Sequence, residues 1–185
     1  MTQRLIIGIT GASGVIYGIN LLKSLKKLNV ETHLVISKGG ALNIKLETDY
    51  HVDDVLAMAD YTYEDNNLSA SISSGSFLTG GMIVAPCTIK TLSGIANSYN
   101  DNLLVRAADV TLKERRKLLL MVRETPLHKG HLKLMMQAAD CGAQILPPFP
   151  AFYNKPRTID DIVNQTVGKM LDYFQIEHDL FKRWH

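Results

Sequence analysis

An apolar, β-branched run, Leu5-Ile6-Ile7-Gly8-Ile9-Thr10, leads straight into the glycine turn Gly11-Ala12-Ser13-Gly14, and a helical pattern begins at Val15. Continuous apolarity over so short a stretch describes a strand buried on both faces, as in a parallel sheet. A parallel strand needs a crossover, and Val15 to Leu28 supplies it. Ile16, Ile19, Leu22 and Leu25 share one helical face, while Lys23, Lys26 and Lys27 lie elsewhere. Asn29 ends the helix, and Glu31 to Ser37 is the next strand, centred on Leu34-Val35-Ile36. The result is a βαβ unit with a right-handed crossover.

The same alternation continues along the chain. Gly39-Gly40 opens a helix running to about Glu47, and Val52 to Met58 makes a short one. Asp60 to Ser76 is polar and reads as loop with one short extended piece. Met82 to Ala85 is a buried strand, stopped by Pro86. Ile89 to Ala96 and Leu103 to Val110 are helices, and Leu118 to Val122 is a strand. Leu127 to Cys141 is an amphipathic helix with Gly142 at its C-terminus, followed by the strand Ala143 to Leu146. Pro147 to Pro156 is extended, Ile159 to Phe174 is the last helix, and a tail carries Phe181 and Trp184. These elements predict a three-layer, doubly wound, Rossmann-like or flavodoxin-like α/β fold. Its mostly parallel sheet has about five strands, in one domain. At 185 residues the chain suits one core.

In such sheets ligands bind at the carboxyl ends of the strands. That rule gathers Gly11 to Ser13, Ser37, Pro86 to Thr88, Arg123-Glu124 and Pro147 to Tyr153 around one crevice. A glycine turn before a helix presents free N–H groups to an anion, and Ser13 adds a hydroxyl. The bland alternative is a tight turn with Ser13 as N-cap. The glycine spacing is not that of a dinucleotide fingerprint, and a Walker lysine is missing, which tells against nucleoside triphosphate hydrolysis. Ser37 stands where a dinucleotide fold places an acid for the ribose, which favours a mononucleotide.

Lys113, Arg123 and Lys169 are candidate phosphate ligands. Lys113 also belongs to the run Lys113-Glu114-Arg115-Arg116-Lys117, which reads equally as a solvated helix end. Glu124 either relays a proton or forms a surface ion pair with Arg123. Glu47 is unremarkable by itself. Tyr153 donates its hydroxyl or simply packs, and Trp184 is a core or interface residue by default. His128 and His131 lack a third ligand, so no metal is expected. Cys87 has no sequence partner and reads as a small buried residue.

The net charge of +2 gives no field for nucleic acid, and no apolar stretch is long enough to span a membrane. The two cysteines form no disulfide framework, and the chain enters a strand with no room for a signal peptide. A cytoplasmic location is therefore expected.

Taken in order, several runs resemble the UbiX family of flavin prenyltransferases, which includes accessory subunits encoded beside hydroxyarylic acid decarboxylases. They are Thr10 to Gly14, Ser37-Lys38, Leu46-Glu47-Thr48, Ser73 to Phe77, Pro86 to Leu92, Arg106 to Val110, Leu112 to Arg115, Arg123 to Pro126, Pro150 to Tyr153 and Arg183-Trp184. The resemblance covers nearly the whole chain. It implies transfer of a dimethylallyl group from dimethylallyl monophosphate to N5 and C6 of reduced FMN, without a metal. The prenylated flavin then serves a UbiD-type decarboxylase. By position, Gly11, Ala12, Ser13, Ser37, Thr88, Ile89, Lys90, Thr91 and Arg123 would contact FMN. Arg106, Lys113, Arg123, Tyr153 and Lys169 would hold the prenyl phosphate. Ser13, Glu47 and Glu124 would handle protons, and Trp184 would offer its ring to the prenyl group. Lys113 and Trp184 thereby join the catalytic set.

Two positions depart from the family pattern: Lys169 replaces a common Arg, losing the planar fork, and Thr88 replaces a frequent Ser. The resemblance also implies a large homo-oligomer, a dodecamer, with sites at subunit junctions. The apolar Pro147 to Phe152 and a tail of about residues 175–185 are the expected contacts. Competing readings are an FMN-dependent decarboxylase of cysteine peptides, a flavin carrier without catalysis, and a subunit that decarboxylates phenolic acids itself. The first is disfavoured because Val15 to Leu28 contains no histidine.

Overall fold

A computed structural model describes residues 4–184. Six parallel strands form one sheet: β1 Arg4–Ile9, β2 Glu31–Ile36, β3 Tyr61–Tyr63, β4 Gly81–Cys87, β5 Lys117–Val122 and β6 Ala143–Ile145. Their spatial order is β3-β2-β1-β4-β5-β6, and every pair is parallel. The helices are α1 Val15–Lys27, α2 Lys38–Glu47, α3 Val52–Leu56, α4 Ile89–Ala96, α5 Leu103–Lys113, α6 Lys129–Asp140 and α7 Ile159–Tyr173.

Alternation along β1 decides the layers. Leu5, Ile7 and Ile9 face a core shared with Ile19, Leu22 and Leu25 of α1 and Val163, Val167 and Met170 of α7. Ile6 faces the other core, with Leu92 of α4, Leu104 of α5 and Ala138 of α6. Both faces of the sheet are therefore covered, as the unbroken apolar strands require.

Three differences from the sequence reading have simple causes. The short extended piece after Asp60 is a full sixth strand, β3, paired from His33↔Tyr61 to Val35↔Tyr63. β4 runs through Pro86 to Cys87 instead of stopping before it. The β4–β5 register goes from Val84↔Leu120 to Cys87↔Val122, so a bulge absorbs the missing Pro86 N–H. α5 extends to Lys113, which places that residue in the helix's last turn.

The chain after α7 folds back on the domain through residues 176–181. His178 and Phe181 lie against Gly168 of α7, and Ile176 joins the α1–α7 core. No helix among the described residues is long and apolar enough to cross a membrane.

Candidate functional site

The chain reverses direction across the sheet between β1 and β4, and this switch point opens the crevice expected at strand carboxyl ends. A cleft of about 720 Å³ lies there, walled by Gly11 after β1, Ser37, Lys38 and Gly39 after β2, and Thr88, Lys90 and Thr91 after β4. Glu64, Asp65, Asp101 and Asn102 also line it. The volume is within the range of about 300–1,000 Å³ usual for small-ligand sites.

Three helix N-termini meet at this cleft. Ser37 caps α2 by accepting from Gly40 N at 3.1 Å, and Thr88 caps α4 by accepting from Thr91 N at 3.0 Å. Asn102 caps α5 by accepting from Val105 N at 2.9 Å. Together these ends present positive backbone dipoles, with Lys38 and Lys90 beside them. Gly11 and Gly39 are glycines because their backbones touch: a Cβ on Gly11 would lie 2.8 Å from Gly39 Cα. A side chain at either position would force the two backbones apart.

The turn after β1 is built differently from the bland reading. The N-cap of α1 is Gly14, at φ 98°, with no capping side chain, so Ser13 is not a cap. Glu47, the last residue of α2, reaches across and accepts a hydrogen bond from Gly14 N at 2.8 Å. Ser13 is exposed beside this contact, and Ala12 is buried. Below the turn, the Thr10 hydroxyl donates to Pro86 O at 2.8 Å and accepts from Thr88 N at 2.9 Å, tying β1 to β4 at the mouth of the cleft.

The candidate cations separate. α5 begins at the cleft with Asn102 and ends, after 11 residues or roughly 16 Å of rise, near the amino end of β5 at Lys117. Lys113 therefore sits at the far end from the cleft, paired with Glu114, whose carboxyl its ammonium holds below the ordinary range. Arg106, in the first half of α5, pairs with Asp109 at 3.1 Å and donates to Ser73 O at 3.3 Å. Lys169, Tyr153 and Trp184 belong to the other face, with α7. Tyr153 and Trp184 meet edge to face at 5.7 Å in a second cavity of about 360 Å³. Lys169 Nζ lies 3.8 Å from Asp172.

Arg123 is held past β5 by its N–H on Cys87 O at 3.1 Å. Glu124 accepts from Thr125 N at 3.0 Å, and no ion pair joins it to Arg123 among the described residues. Ile89 sits between the two cleft residues Thr88 and Lys90. One chain thus gathers Gly11, Ser37, Thr88, Lys90 and Thr91, but it leaves Arg123, Glu124 and Tyr153 outside that cleft and does not join Lys113 to Lys169.

The remaining candidates fall away. His128 caps α6 by accepting from Gly130 N, and its ring lies tilted by 35° against that of His131, 3.6 Å away. No group of three or more potential metal ligands exists among the described residues. Cys87 is fully buried, and burial drives its thiol far above the ordinary value, which removes the nucleophilic thiolate.

Sequence reasoning passed over Thr10, Lys38, Asp65, Asp101 and Asn102 as site residues. The Asp101-Asn102 pair before an apolar helix is a capping signal that could have placed α5's N-terminus at the crevice. Asp65 left no such trace. It accepts from Leu104 N at 3.0 Å, and burial pushes its carboxyl up.

A doubly wound parallel sheet with an anion-binding crevice at its switch point defines a nucleotide-binding α/β protein. The family model described as Flavoprotein matches residues 1–181. The flavin prenyltransferase UbiX of Thauera aromatica is 58% identical over 182 residues, covering 98% of this chain and 94% of that protein. The crystal structure of AnUbiX (PadA1) in complex with FMN and dimethylallyl pyrophosphate superposes with a TM-score of 0.99 at 49% identity, covering 100% of this chain and 98% of that one. A dodecameric FMN-dependent UbiX-like decarboxylase from Escherichia coli O157:H7 superposes with a TM-score of 0.97 at 50% identity, covering 99% and 100%. The chain belongs to the flavoprotein family, among its UbiX-type flavin prenyltransferases.

Proposed function

We propose that the protein transfers a dimethylallyl group from dimethylallyl monophosphate to N5 and C6 of reduced FMN, releasing phosphate and a prenylated flavin for a UbiD-type decarboxylase. The reading rests on the mononucleotide-sized cleft ringed by three helix N-termini in a chain of this family. The residues fit the ligand. Ser37, Thr88, Lys90 and the backbone around Gly11 offer donors to a phosphate, and Asp65, Asp101 and Asn102 offer acceptors to a polyol chain. Ala12, Ser13, Ile89 and Thr91 add FMN contacts at the cleft, and Arg123 joins them from past β5, outside the cleft.

Bound reduced flavin supplies the nucleophilic positions. The protein must do the rest without a metal. Ionising an allylic phosphate separates charge, so cations are needed where the leaving oxygens gather negative charge. Lys113, Lys169, Arg106 and Arg123 are those cations, and the Tyr153 hydroxyl adds a neutral donor. The Trp184 ring shelters the allylic cation by its π face. Glu124 accepts the proton released as the new ring closes, Ser13 assists, and Glu47 holds the glycine turn through Gly14.

Lys113 and Lys169 stand on opposite faces of one chain, so the site is completed between copies of a homo-oligomer, with a dodecamer as its form. The exposed Phe149 and Phe152 and the tail that carries Trp184 supply contacts for such copies. The free thiols of Cys87 and Cys141 suit a reducing cytoplasm.

Mixing Lys113→Ala with Lys169→Ala tests the shared site. Each variant alone is expected to be inactive, and co-assembled mixtures are expected to regain turnover, because some junctions then combine two intact residues. If Lys113→Ala and Glu124→Gln proteins still activate the recipient decarboxylase fully, the protein is a flavin carrier and not an enzyme. Release of CO2 from phenolic acids by the purified chain would revive the direct decarboxylase.

A further inference from the structure

The tail after α7 folds back on its own helix, and one carboxylate organises it. Asp172 Oδ1 receives His178 Nε2 at 3.1 Å and Arg183 Nη2 at 2.7 Å, and Asp172 Oδ2 receives Arg183 Nη1 at 3.2 Å. Lys169 Nζ lies 3.8 Å from the same Oδ2. The Leu180 N–H donates to His178 Nδ1 at 3.2 Å, so the imidazole proton is on Nε2, facing Asp172. Burial acts to raise the Asp172 carboxyl, but Arg183 and then His178 outweigh it, and the group is held below its ordinary value.

A second feature of α7 serves the same tail. Gly168 lies one turn before Asp172, and a Cβ there would stand 2.5 Å from the Phe181 ring and 2.6 Å from the His178 ring. The helix surface is bare at that point, and two tail rings occupy it. The Phe181 ring in turn lies 5.5 Å from both Lys169 Nζ and the Arg183 guanidinium. Trp184 follows Arg183 directly and meets Tyr153.

We propose that Asp172 is a positioning residue of the prenyl-phosphate site: it docks the tail on α7 and thereby fixes the Lys169 ammonium and the Trp184 ring together. The inference rests on the reading of Lys169, Tyr153 and Trp184 as that half-site. A lysine ammonium is a point charge on a flexible stem and needs an external restraint to keep a fixed position. Asp172 supplies it. Arg183 neutralises Asp172, so the carboxylate does not cancel Lys169: two cations and one anion leave a single net positive charge for the phosphate. The bidentate pairing of Arg183 also sets where the next residue, Trp184, emerges.

Trp184 is the chain's only tryptophan, so its emission reports tail docking without added probes. Full-length Asp172→Asn, Arg183→Gln and Gly168→Ala proteins are compared with the parent. Trp184 is 77% exposed even when docked, so docking is read from its mobility. In each variant the emission anisotropy of Trp184 is expected to fall, and the KM for dimethylallyl monophosphate to rise about tenfold, as for one lost charge-assisted hydrogen bond. The Kd for FMN stays within about twofold, because the FMN cleft is on other elements. The double variant Asp172→Asn/Arg183→Gln is no worse than either single one.

Gly168→Ala leaves every charge in place, so it tests docking even if Asp172→Asn folds poorly. Unchanged Trp184 anisotropy and KM in all three variants would overturn the proposal. So would parallel losses of FMN affinity and thermal stability, which indicate a general structural role. If the parent protein binds dimethylallyl monophosphate but prenylates no flavin, the functional reading fails, while Trp184 anisotropy and the Kd for dimethylallyl monophosphate still decide the role of Asp172.

Discussion

Glu47, the final residue of α2, accepts a hydrogen bond from the amide of Gly14 at 2.8 Å, locking the glycine turn to a neighbouring helix. The amide that would otherwise be the first free donor of α1 is thus already taken. The amides left free at the cleft are therefore those around Gly11 and at the starts of α2, α4 and α5. Glu47→Ala should lower FMN affinity about tenfold by leaving the Gly14 N–H unpaired and the turn loose. Glu47→Gln keeps an acceptor oxygen and should stay within about threefold of the parent. Flavin fluorescence titration measures both. A Gln variant with normal FMN binding but turnover slowed about a hundredfold would make Glu47 a proton-transfer group instead.

Thr10 is 1% exposed and bridges Pro86 and Thr88 through its hydroxyl. Thr10→Val keeps the shape and removes both hydrogen bonds. The Thr88 N–H loses its partner at the cleft mouth, and the expected cost is about 1–3 kcal/mol. Urea unfolding should show a lower midpoint with an unchanged slope. An unchanged midpoint would mean that solvent or backbone readily replaces the hydroxyl.

Two groups on β2 tie stability to acid pH. Burial lowers His33 from the ordinary 6.5, against the opposing pull of Glu31, and its ring nitrogens contact Tyr63 Oη and Glu31 Oε1, each at 2.8 Å. Protons then bind the unfolded chain more readily than the folded one. This contribution is full above about pH 6.5 and declines as pH falls through that value. Glu31, held down first by Arg4 and then by His33, adds a second loss below its unfolded value near 4.5; it is partly open to solvent, and screening keeps this step modest. The melting temperature should therefore decline in two steps on acidification. His33→Gln should flatten the slope between about pH 7.5 and about pH 5.5. An unchanged slope in that variant would remove His33 from the account.

Cys87 is fully buried and its thiol strongly raised, while Cys141 is exposed. A disulfide reagent at mild alkaline pH should titrate one thiol quickly and the second only in denaturant. Loss of that single fast thiol in a Cys141→Ser variant confirms the assignment. Two fast thiols in the native protein would show that the β4 end opens readily.

The strands, the crossover helices and the strand-end crevice were legible because apolar runs and helical periodicity express burial directly. Gly11, Ser37 and Thr88 could be placed at that crevice from chain order alone. The bulge at Pro86 was not, since the pairing there depends on the partner strand. β3 was missed as a full strand because Tyr61-Thr62-Tyr63 lies at a sheet edge and carries little apolar signal. Nothing in local sequence shows that Glu47 reaches Gly14 or that Asp172 holds Arg183. Both contacts form only after helices pack. The separation of Lys113 from Lys169 was likewise invisible, because it follows from which face of the sheet each helix covers.

The central claim is that flavin is a substrate here and becomes alkylated. The direct measurement is anaerobic incubation of the protein with reduced FMN and dimethylallyl monophosphate, followed by the mass of the extracted flavin. The account predicts a gain of one five-carbon unit, dependent on both substrates and abolished by Lys113→Ala. An unchanged flavin mass from folded, FMN-binding protein would contradict it.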